Sequence, residues 1–343
     1  MELRPQDELP HVPDGADEAP WKDTWWFVAR DPGADVTVHT HFTLSANREP
    51  PARATVLVKQ GAREALGLLR TEPTRTKDNL VGNDLWQLEV VDPEWDDRKR
   101  LTLTAELDEV SVELDLSGRF QAVDVNALHP GVLPDRSGGP TGPSAGGVLR
   151  HIEAAMTFTG TVRWHGADGS DGEDGPATAI RGFAIRDRSW GWRKTQEMFR
   201  YGWEGFFGHG PDYSLGLGCF RVTDEPGGQG SRSSAWIADA DGVHPCDAAE
   251  IRLDGTGRPV SLSFTTTSGR TVTATTEVQE LAAHLPFHDP DPTGNALMIV
   301  QTEHHLRMRD QDGGAFQCLY TTARPMRASI LEGTTFHTPD GPG

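Results

Sequence analysis

Polar and hydrophobic residues alternate along most of the chain, and this period of two is the pattern of β-strands with one buried face. The segment 36–44 shows it most clearly. Its even positions are Val36, Val38, Thr40, Phe42 and Leu44, and its odd positions are Thr37, His39, His41 and Thr43. Similar segments are 53–60, 85–91, 100–106, 109–116, 151–165, 234–239, 260–267, 271–278, 296–308 and 315–322. Because apolar residues at helical spacing are almost absent and turn residues separate the segments, the pattern predicts an all-β protein of antiparallel strands.

A stretch rich in proline and glycine, residues 130–147, interrupts the alternation. Its four prolines cannot support a β-ladder or a helix, so we predict a linker between two β domains. Each domain is expected to be a barrel or a sandwich that closes its own edges. The predicted layout is an extended N-terminal arm, a first β domain, the linker, a second β domain and a flexible tail, over residues 1–20, 21–129, 130–147, 148–330 and 331–343.

The composition excludes several classes of protein. A net charge of −19, with no basic run to offset it, argues against nucleic acid as a partner. No apolar run approaches the length needed to span a membrane, and the first residues lack the pattern of a signal peptide. Three cysteines without close spacing do not suggest a disulfide framework or a zinc site. We therefore expect a soluble, cytoplasmic protein.

The densest chemistry in the sequence lies in residues 181–193. On a strand, Arg186, Arg188 and Trp190 would point to one face, and Asp187 and Ser189 to the other. Buried guanidinium, carboxylate and indole groups can satisfy one another through ion pairs and cation–π contacts. The segment is therefore either a structural cluster that fixes one strand end or a catalytic centre, and the two readings stay open. In either case the flanking arginines are expected to hold Asp187 ionised.

This segment, Gly-x-x-x-Arg-Asp-x-Ser-Trp-Gly-x-Arg, resembles the signature of the hydroxyneurosporene synthase (carotenoid 1,2-hydratase)-like family, whose members are related to lipocalin-like Diels–Alderases. The matching positions are Gly182, Arg186, Asp187, Ser189, Trp190, Gly191 and Arg193, with Glu153 and Gly160 before them and Trp203 after them. The resemblance is specific over about 150–240 and weaker elsewhere. It implies two calycin- or lipocalin-like β domains in tandem and apolar small-molecule substrates.

One position departs from that family, which commonly has histidine where this chain has Arg188. Because arginine does not lose its proton in proteins, Arg188 could act only as a fixed positive charge or as a hydrogen-bond donor.

The candidate site residues fall into two groups. The predicted catalytic residues are Asp187, Arg186, Ser189, Trp190, Glu204 and Glu153, with Glu204 as an acid whose pKa an apolar setting could raise. The predicted substrate-binding residues are Trp192, Tyr201, Trp203, Phe206, Trp236, His39 and His41. His39 and His41 have a spacing known among metal ligands, but the carboxylate expected a few residues later is missing, so we predict a polar lining and no metal. Nucleotide-binding motifs are absent from the sequence, and no cofactor is predicted.

These residues favour a cofactor-independent enzyme that binds a hydrophobic polyene, terpenoid or polyketide between the two β domains. It would promote cyclisation, cycloaddition, hydration or isomerisation by holding the substrate in a reactive shape beside one or two polar groups. The alternative is a non-catalytic, lipocalin-like carrier of a lipid or pigment. A metal-dependent, cupin-like enzyme is a third possibility.

Overall fold

The computed structural model of the protein describes residues 5–11, 21–45, 52–71, 75–77, 79–91, 100–129, 150–166, 175–192, 203–220, 232–290 and 296–326. Apart from one 3-10 helix, Pro5–Glu8, and the one-turn helix α1, Val125–Leu128, the elements in these ranges are strands. All of the strand pairings are antiparallel. The all-β, tandem lipocalin-like prediction is confirmed.

The first unit comprises residues 1–125 and 136–193 and contains a 12-stranded sheet that curls into a half-barrel. Along the sheet the strand order is β4-β3-β2-β1-β12-β11-β9-β8-β7-β6-β5, and β10 pairs with β11. The strands are β1 (Trp21–Asp31), β2 (Val36–Ser45), β3 (Ala52–Gln60), β4 (Arg63–Thr71), β5 (Arg75–Lys77), β6 (Leu80–Gly82), β7 (Trp86–Val90), β8 (Arg100–Glu106), β9 (Val110–Gly118), β10 (Val123–Asp124), β11 (Arg150–Trp164) and β12 (Thr178–Trp192).

The second unit comprises residues 126–135 and 194–343 and contains a closed barrel of eight strands, β13 to β20, paired in sequence order. They are β13 (Trp203–His209), β14 (Tyr213–Phe220), β15 (Arg232–Asp239), β16 (Gly242–Leu253), β17 (Pro259–Thr266), β18 (Thr271–Pro290), β19 (Ala296–Asp310) and β20 (Ala315–Met326). Closure of the barrel comes from pairing of β13 with β20.

The division into units differs from the predicted domain boundary. Strands β11 and β12 follow 130–147 in the sequence, yet β12 pairs with β1, and β11 pairs with β9 and β12. The second unit's strands therefore begin after residue 193, and the domain predicted for 148–330 loses its first two strands to the first unit. Strand pairing between distant segments decides the boundary, and proline content does not. The predicted linker and tail, residues 130–147 and 331–343, lie outside the described residues.

The N-terminal arm also differs from the expectation of an extended segment. Its described part begins with the 3-10 helix and packs into the first unit, where Asp7 and Glu8 are buried. Buried carboxylates require partners of opposite charge or hydrogen-bond donors, and the partners lie on β11 and β12.

The core of each unit follows from the alternation. In the first unit, inward-facing residues of β1, β2 and β7 bring together Trp25, Phe42 and Trp86, with the last two rings stacked 4.6 Å apart. In the second unit, Phe206 and Phe264 belong to the apolar interior of the closed barrel. Within the described ranges, no helix is long and apolar enough to cross a membrane.

Candidate functional site

Strand β12 places its charged residues on two opposite faces, as the alternation predicts. Arg186 and Arg188 are completely buried on the core face, where the guanidinium of Arg188 lies 3.9 Å from the ring centre of Trp25. Asp187 points to the other face, towards His151. The two arginines and Asp187 therefore lie on opposite sides of the sheet, as expected for residues next to each other on a strand.

The arginines on the core face pair with residues far away in the sequence. Arg186 forms an ion pair with Glu8, and Arg188 forms one with Asp23 on β1. Arg188 also donates a hydrogen bond of 2.8 Å to the carbonyl oxygen of Leu9. Burial lowers the pKa of Arg186, and the charge of Glu8 acts in the opposite direction.

The N-terminal segment covers this arginine cluster. The imidazole of His11 stacks on Trp190 with ring centres 4.0 Å apart, and its backbone N–H donates to Asp23 at 2.6 Å. Arg188 lies 4.8 Å from the Trp190 ring. Burial and the charge of Arg188 lower the pKa of His11. The two arginines thus pair with the carboxylates of Asp23 and Glu8, and Arg188 also contacts the rings of Trp25 and Trp190.

A second polar group lies on the opposite face of the same strands. The Nε2 atom of His151 is 2.7 Å from Oδ2 of Asp187 and 3.6 Å from Oε1 of Glu153. The strand register explains the grouping, because Glu153 on β11 is directly opposite Asp187 on β12, and His151 is opposite Ser189. We call His151, Glu153 and Asp187 the polar trio. Glu153 is 2% exposed and His151 7%, so the trio lies largely out of water.

The polar trio continues across the sheet. Cross-strand register places His41, Trp26, Asp187 and Glu153 in one row over β2, β1, β12 and β11. In the neighbouring row, the hydroxyls of Thr24 and Ser189 are 2.9 Å apart. The structure therefore brings the predicted residues Asp187, Ser189, Glu153 and the two histidines of β2 to one face of the first sheet.

The histidines of β2 share this face, as predicted. His39 is completely buried, and its ring meets the edge of Trp26 at 6.0 Å. Burial, the neighbouring His39 and the charge of Arg53 lower the pKa of His41 to about 3. His41 is therefore neutral at physiological pH. Its imidazole can accept or donate a hydrogen bond, but it is not a cationic acid that could protonate a substrate.

The polar trio can support two kinds of chemistry. A buried imidazole that is hydrogen-bonded to one carboxylate, with a second carboxylate close by, can exchange a proton with it, which is an arrangement of general acid–base catalysis. Alternatively, the trio offers one imidazole nitrogen and two carboxylate oxygens within 4.8 Å of one another. Such a donor set suits a divalent transition metal.

Sequence reasoning missed His151, although it named Glu153 and Asp187. The available signal was His151-x-Glu153 on a strand, because residues two apart share a face. The arm residues Asp7 and Glu8 were missed as well, since two acidic side chains in a polar, proline-rich segment give no sign of burial.

The remaining predicted residues belong to the second unit. Phe206 faces the barrel interior, and Glu204, two positions earlier on β13, lies opposite Cys219 and Thr322. Trp203 and Trp236 are also buried, and the Trp236 indole packs on the backbone of Gly216. Tyr201 and the side chain of Trp192 lie outside the described parts of the chain.

A cavity of about 540 Å³ lies in the first unit, lined by Gln60, Ala62, Arg63, Trp164, Gly175, Pro176 and Thr178. The indole of Trp164 donates a hydrogen bond of 2.7 Å to Gln60 at its wall. Trp164 ends β11, whereas His151 is near the start, so the cavity is roughly 40 Å along the strand from the polar trio. None of the predicted site residues lines it.

The curled sheet of the first unit and the closed barrel of the second are consistent with an all-β, tandem lipocalin-like fold. Residues 4–320 match the family model described as domain of unknown function DUF7064, and the chain belongs to that family. No curated protein sequence matches the chain significantly.

Solved structures with the same fold share little sequence with this chain. The AttH-type protein NE1406 of Nitrosomonas europaea is 17% identical, with a TM-score of 0.59 over 94% of this chain and 96% of that one. CghA in a structure with Sch210972 is 9% identical, with a TM-score of 0.53 over 94% of this chain and 96% of CghA. A structure of CghA alone gives 10% identity and a TM-score of 0.53 over 95% and 96%. At these identities the likeness is one of fold.

Proposed function

We propose that this protein is an enzyme that binds a hydrophobic small molecule and transforms it by proton transfer at the polar trio. The substrate class is a polyene, terpenoid or polyketide, and the reaction is a hydration, an isomerisation or a cyclisation. The observation that carries the proposal is the hydrogen bond of 2.7 Å between His151 Nε2 and Asp187 Oδ2, with Oε1 of Glu153 3.6 Å from the same nitrogen.

The position of Asp187 supports its role as the group that reaches the substrate. Its side chain is 15% exposed, compared with 9% for His151 and 2% for Glu153. In a hydration, the carboxyl proton of Asp187 would add to one carbon of a double bond and water would attack the other. The proton released by that water would return to the carboxylate by way of His151, so the net change is the addition of one water molecule.

The surroundings of Asp187 favour an apolar substrate that develops positive charge. Trp26 is the cross-strand neighbour of Asp187, and Ile185 precedes it by two residues on the same face. The face of an indole stabilises a cation, which suits a protonated polyene. The fold also occurs in CghA, which has been solved with the small molecule Sch210972.

The test is to incubate the purified full-length chain with a panel of linear polyenes and polyketides, without added metal or nucleotide, and to analyse the products by mass spectrometry. Product formation supports the enzyme, whereas tight binding without product supports the lipocalin-like carrier. Asp187→Asn should lower turnover by about 10²–10⁴-fold, the usual contribution of a positioned acid or base.

A matched control separates catalysis from general damage. His165 and Glu106 also form a histidine–carboxylate pair, at 3.3 Å, but Glu106 is exposed. His165→Gln should leave turnover unchanged. Equal losses in Asp187→Asn and His165→Gln would contradict the proposal.

The metal-dependent alternative has one observation in its favour, the convergence of three donor atoms in the polar trio. The metal would then lie at the polar trio and not at His39 and His41, for which the sequence predicted no metal. Loss of turnover after dialysis against a chelator, restored by Zn²⁺ or Mn²⁺, would favour this alternative over proton transfer alone.

A further inference from the structure

Strand β4 forms one edge of the sheet in the first unit. Among the described strands it pairs only with β3, along its full length of nine residues. The opposite edge is β5, which has three residues. A long edge strand presents a row of backbone donors and acceptors to another strand, and proteins usually shorten, charge or cover such edges.

The outward face of β4 carries two leucines where such an edge usually carries charge. Leu66 is 48% exposed and Leu68 is 58% exposed. The inward face is firmly packed, since Ala65 is buried and a Cβ atom on Gly67 would lie 2.9 Å from Leu85. The exposed leucines therefore belong to a strand whose position is fixed from the inside. A fixed apolar edge can serve as a docking surface.

We propose that β4 pairs antiparallel with β4 of a second copy of this chain, about a two-fold axis at Gly67. In this register Leu66 lies opposite Leu68 of the other copy, and Leu68 lies opposite its Leu66. The register position of Glu64 is opposite that of Arg70. An isologous contact of this kind buries the same patch on both copies and closes the edge of both sheets.

The residues of β4 favour a second copy over a strand of another protein, because the strand is complementary to itself in only one of the neighbouring registers. A shift by two residues would keep one leucine opposite its own copy but would place either Glu64 opposite Leu68 or Leu66 opposite Arg70. A shift by one residue would turn the leucines to the opposite face of the neighbouring strand. The register centred on Gly67 matches leucine with leucine and places the positions of Glu64 and Arg70 opposite each other.

The test is the mass of the full-length chain in solution, measured by sedimentation velocity and light scattering over a wide concentration range. The wild-type chain should form a dimer, and Leu68→Lys should raise the dissociation constant by about tenfold or more. Leu281→Lys is the matched control, because Leu281 is 46% exposed and lies in the second unit. A wild-type chain that stays monomeric, or equal effects of the two lysines, would overturn the proposal.

Cysteine cross-linking tests the register itself. The double variant with Leu66→Cys and Leu68→Cys should form a covalent dimer on mild oxidation, because each new thiol faces one on the other copy. Leu66→Cys alone should not, since it faces a leucine. Cross-linking of the single variant to the same extent as the double variant would show a different register and contradict the axis at Gly67. The wild-type chain provides the background from Cys219, Cys246 and Cys318.

Discussion

The ion pair between Glu8 and Arg186 makes the clearest prediction about stability. Both side chains are 0% exposed, and Glu8 supplies the larger part of the negative charge that compensates the guanidinium, with a smaller part from Asp187. Glu8→Ala would leave a cation in the protein interior, beside the second cation of Arg188. Removal of one partner from a buried pair costs about 3–5 kcal/mol, because the remaining charge is desolvated without compensation.

The measurement is the free energy of unfolding from urea titration, followed by circular dichroism and tryptophan fluorescence. Glu277→Ala is the control, since Glu277 pairs with Arg309 at 2.6 Å but Arg309 is half exposed. That variant should lose no more than about 1 kcal/mol. A double variant with Glu8→Leu and Arg186→Met should regain most of the loss, because it removes both charges from the interior together.

The reasoning is refuted if Glu8→Ala and Glu277→Ala lose the same amount. In that case the arm would contribute no more than a surface contact, and the arginine cluster would not depend on residues 5–11. A loss confined to binding or turnover, with unchanged stability, would likewise contradict a structural role for this pair.

Two further predictions concern single residues. The pKa of His41 in the folded protein is about 3, below its unfolded value of 6.5, so protonation favours the unfolded state and stability falls as the pH drops through this window. His41→Gln should remove about 2 kcal/mol of the loss between pH 7 and pH 5, and urea titrations at the two pH values that show equal losses in both proteins would contradict it. Gly216→Ala should cost roughly 1–3 kcal/mol, because its Cβ atom would lie 2.4 Å from the Trp236 indole. Gly255→Ala, with no atom within 4 Å of the new Cβ, is its control, and thermal unfolding should separate the two variants.

The candidate site shows how far sequence reasoning reached. The period of two on β12 correctly separated Arg186 and Arg188 from Asp187, because alternation is a local property of an extended backbone. It did not identify the partner of Asp187, which is His151, 36 residues away in the sequence. That contact depends on the pairing of β11 with β12, and the residues of one strand do not by themselves determine which strand pairs with it.

The contacts of the N-terminal arm, residues 5–11, were likewise not predicted from the sequence, and they span a longer distance along the chain. Leu9 accepts a hydrogen bond from Arg188, 179 residues away. A short polar segment has no periodic pattern from which such a contact could be predicted. Its burial follows from the need of two enclosed arginines for carboxylates and carbonyl oxygens.

The sequence by itself determined that this protein is all-β, which residues of each strand share a face, and where its chemistry is concentrated. Those properties depend on the alternation of neighbouring residues. Only the tertiary structure decided that β11 and β12 complete the first sheet, that Glu8 and Asp23 neutralise the arginines, and that His151 meets Asp187. These contacts join segments far apart in the chain. They form because an unpaired buried charge and an unpaired strand edge both cost free energy, and only the whole fold brings the partners together.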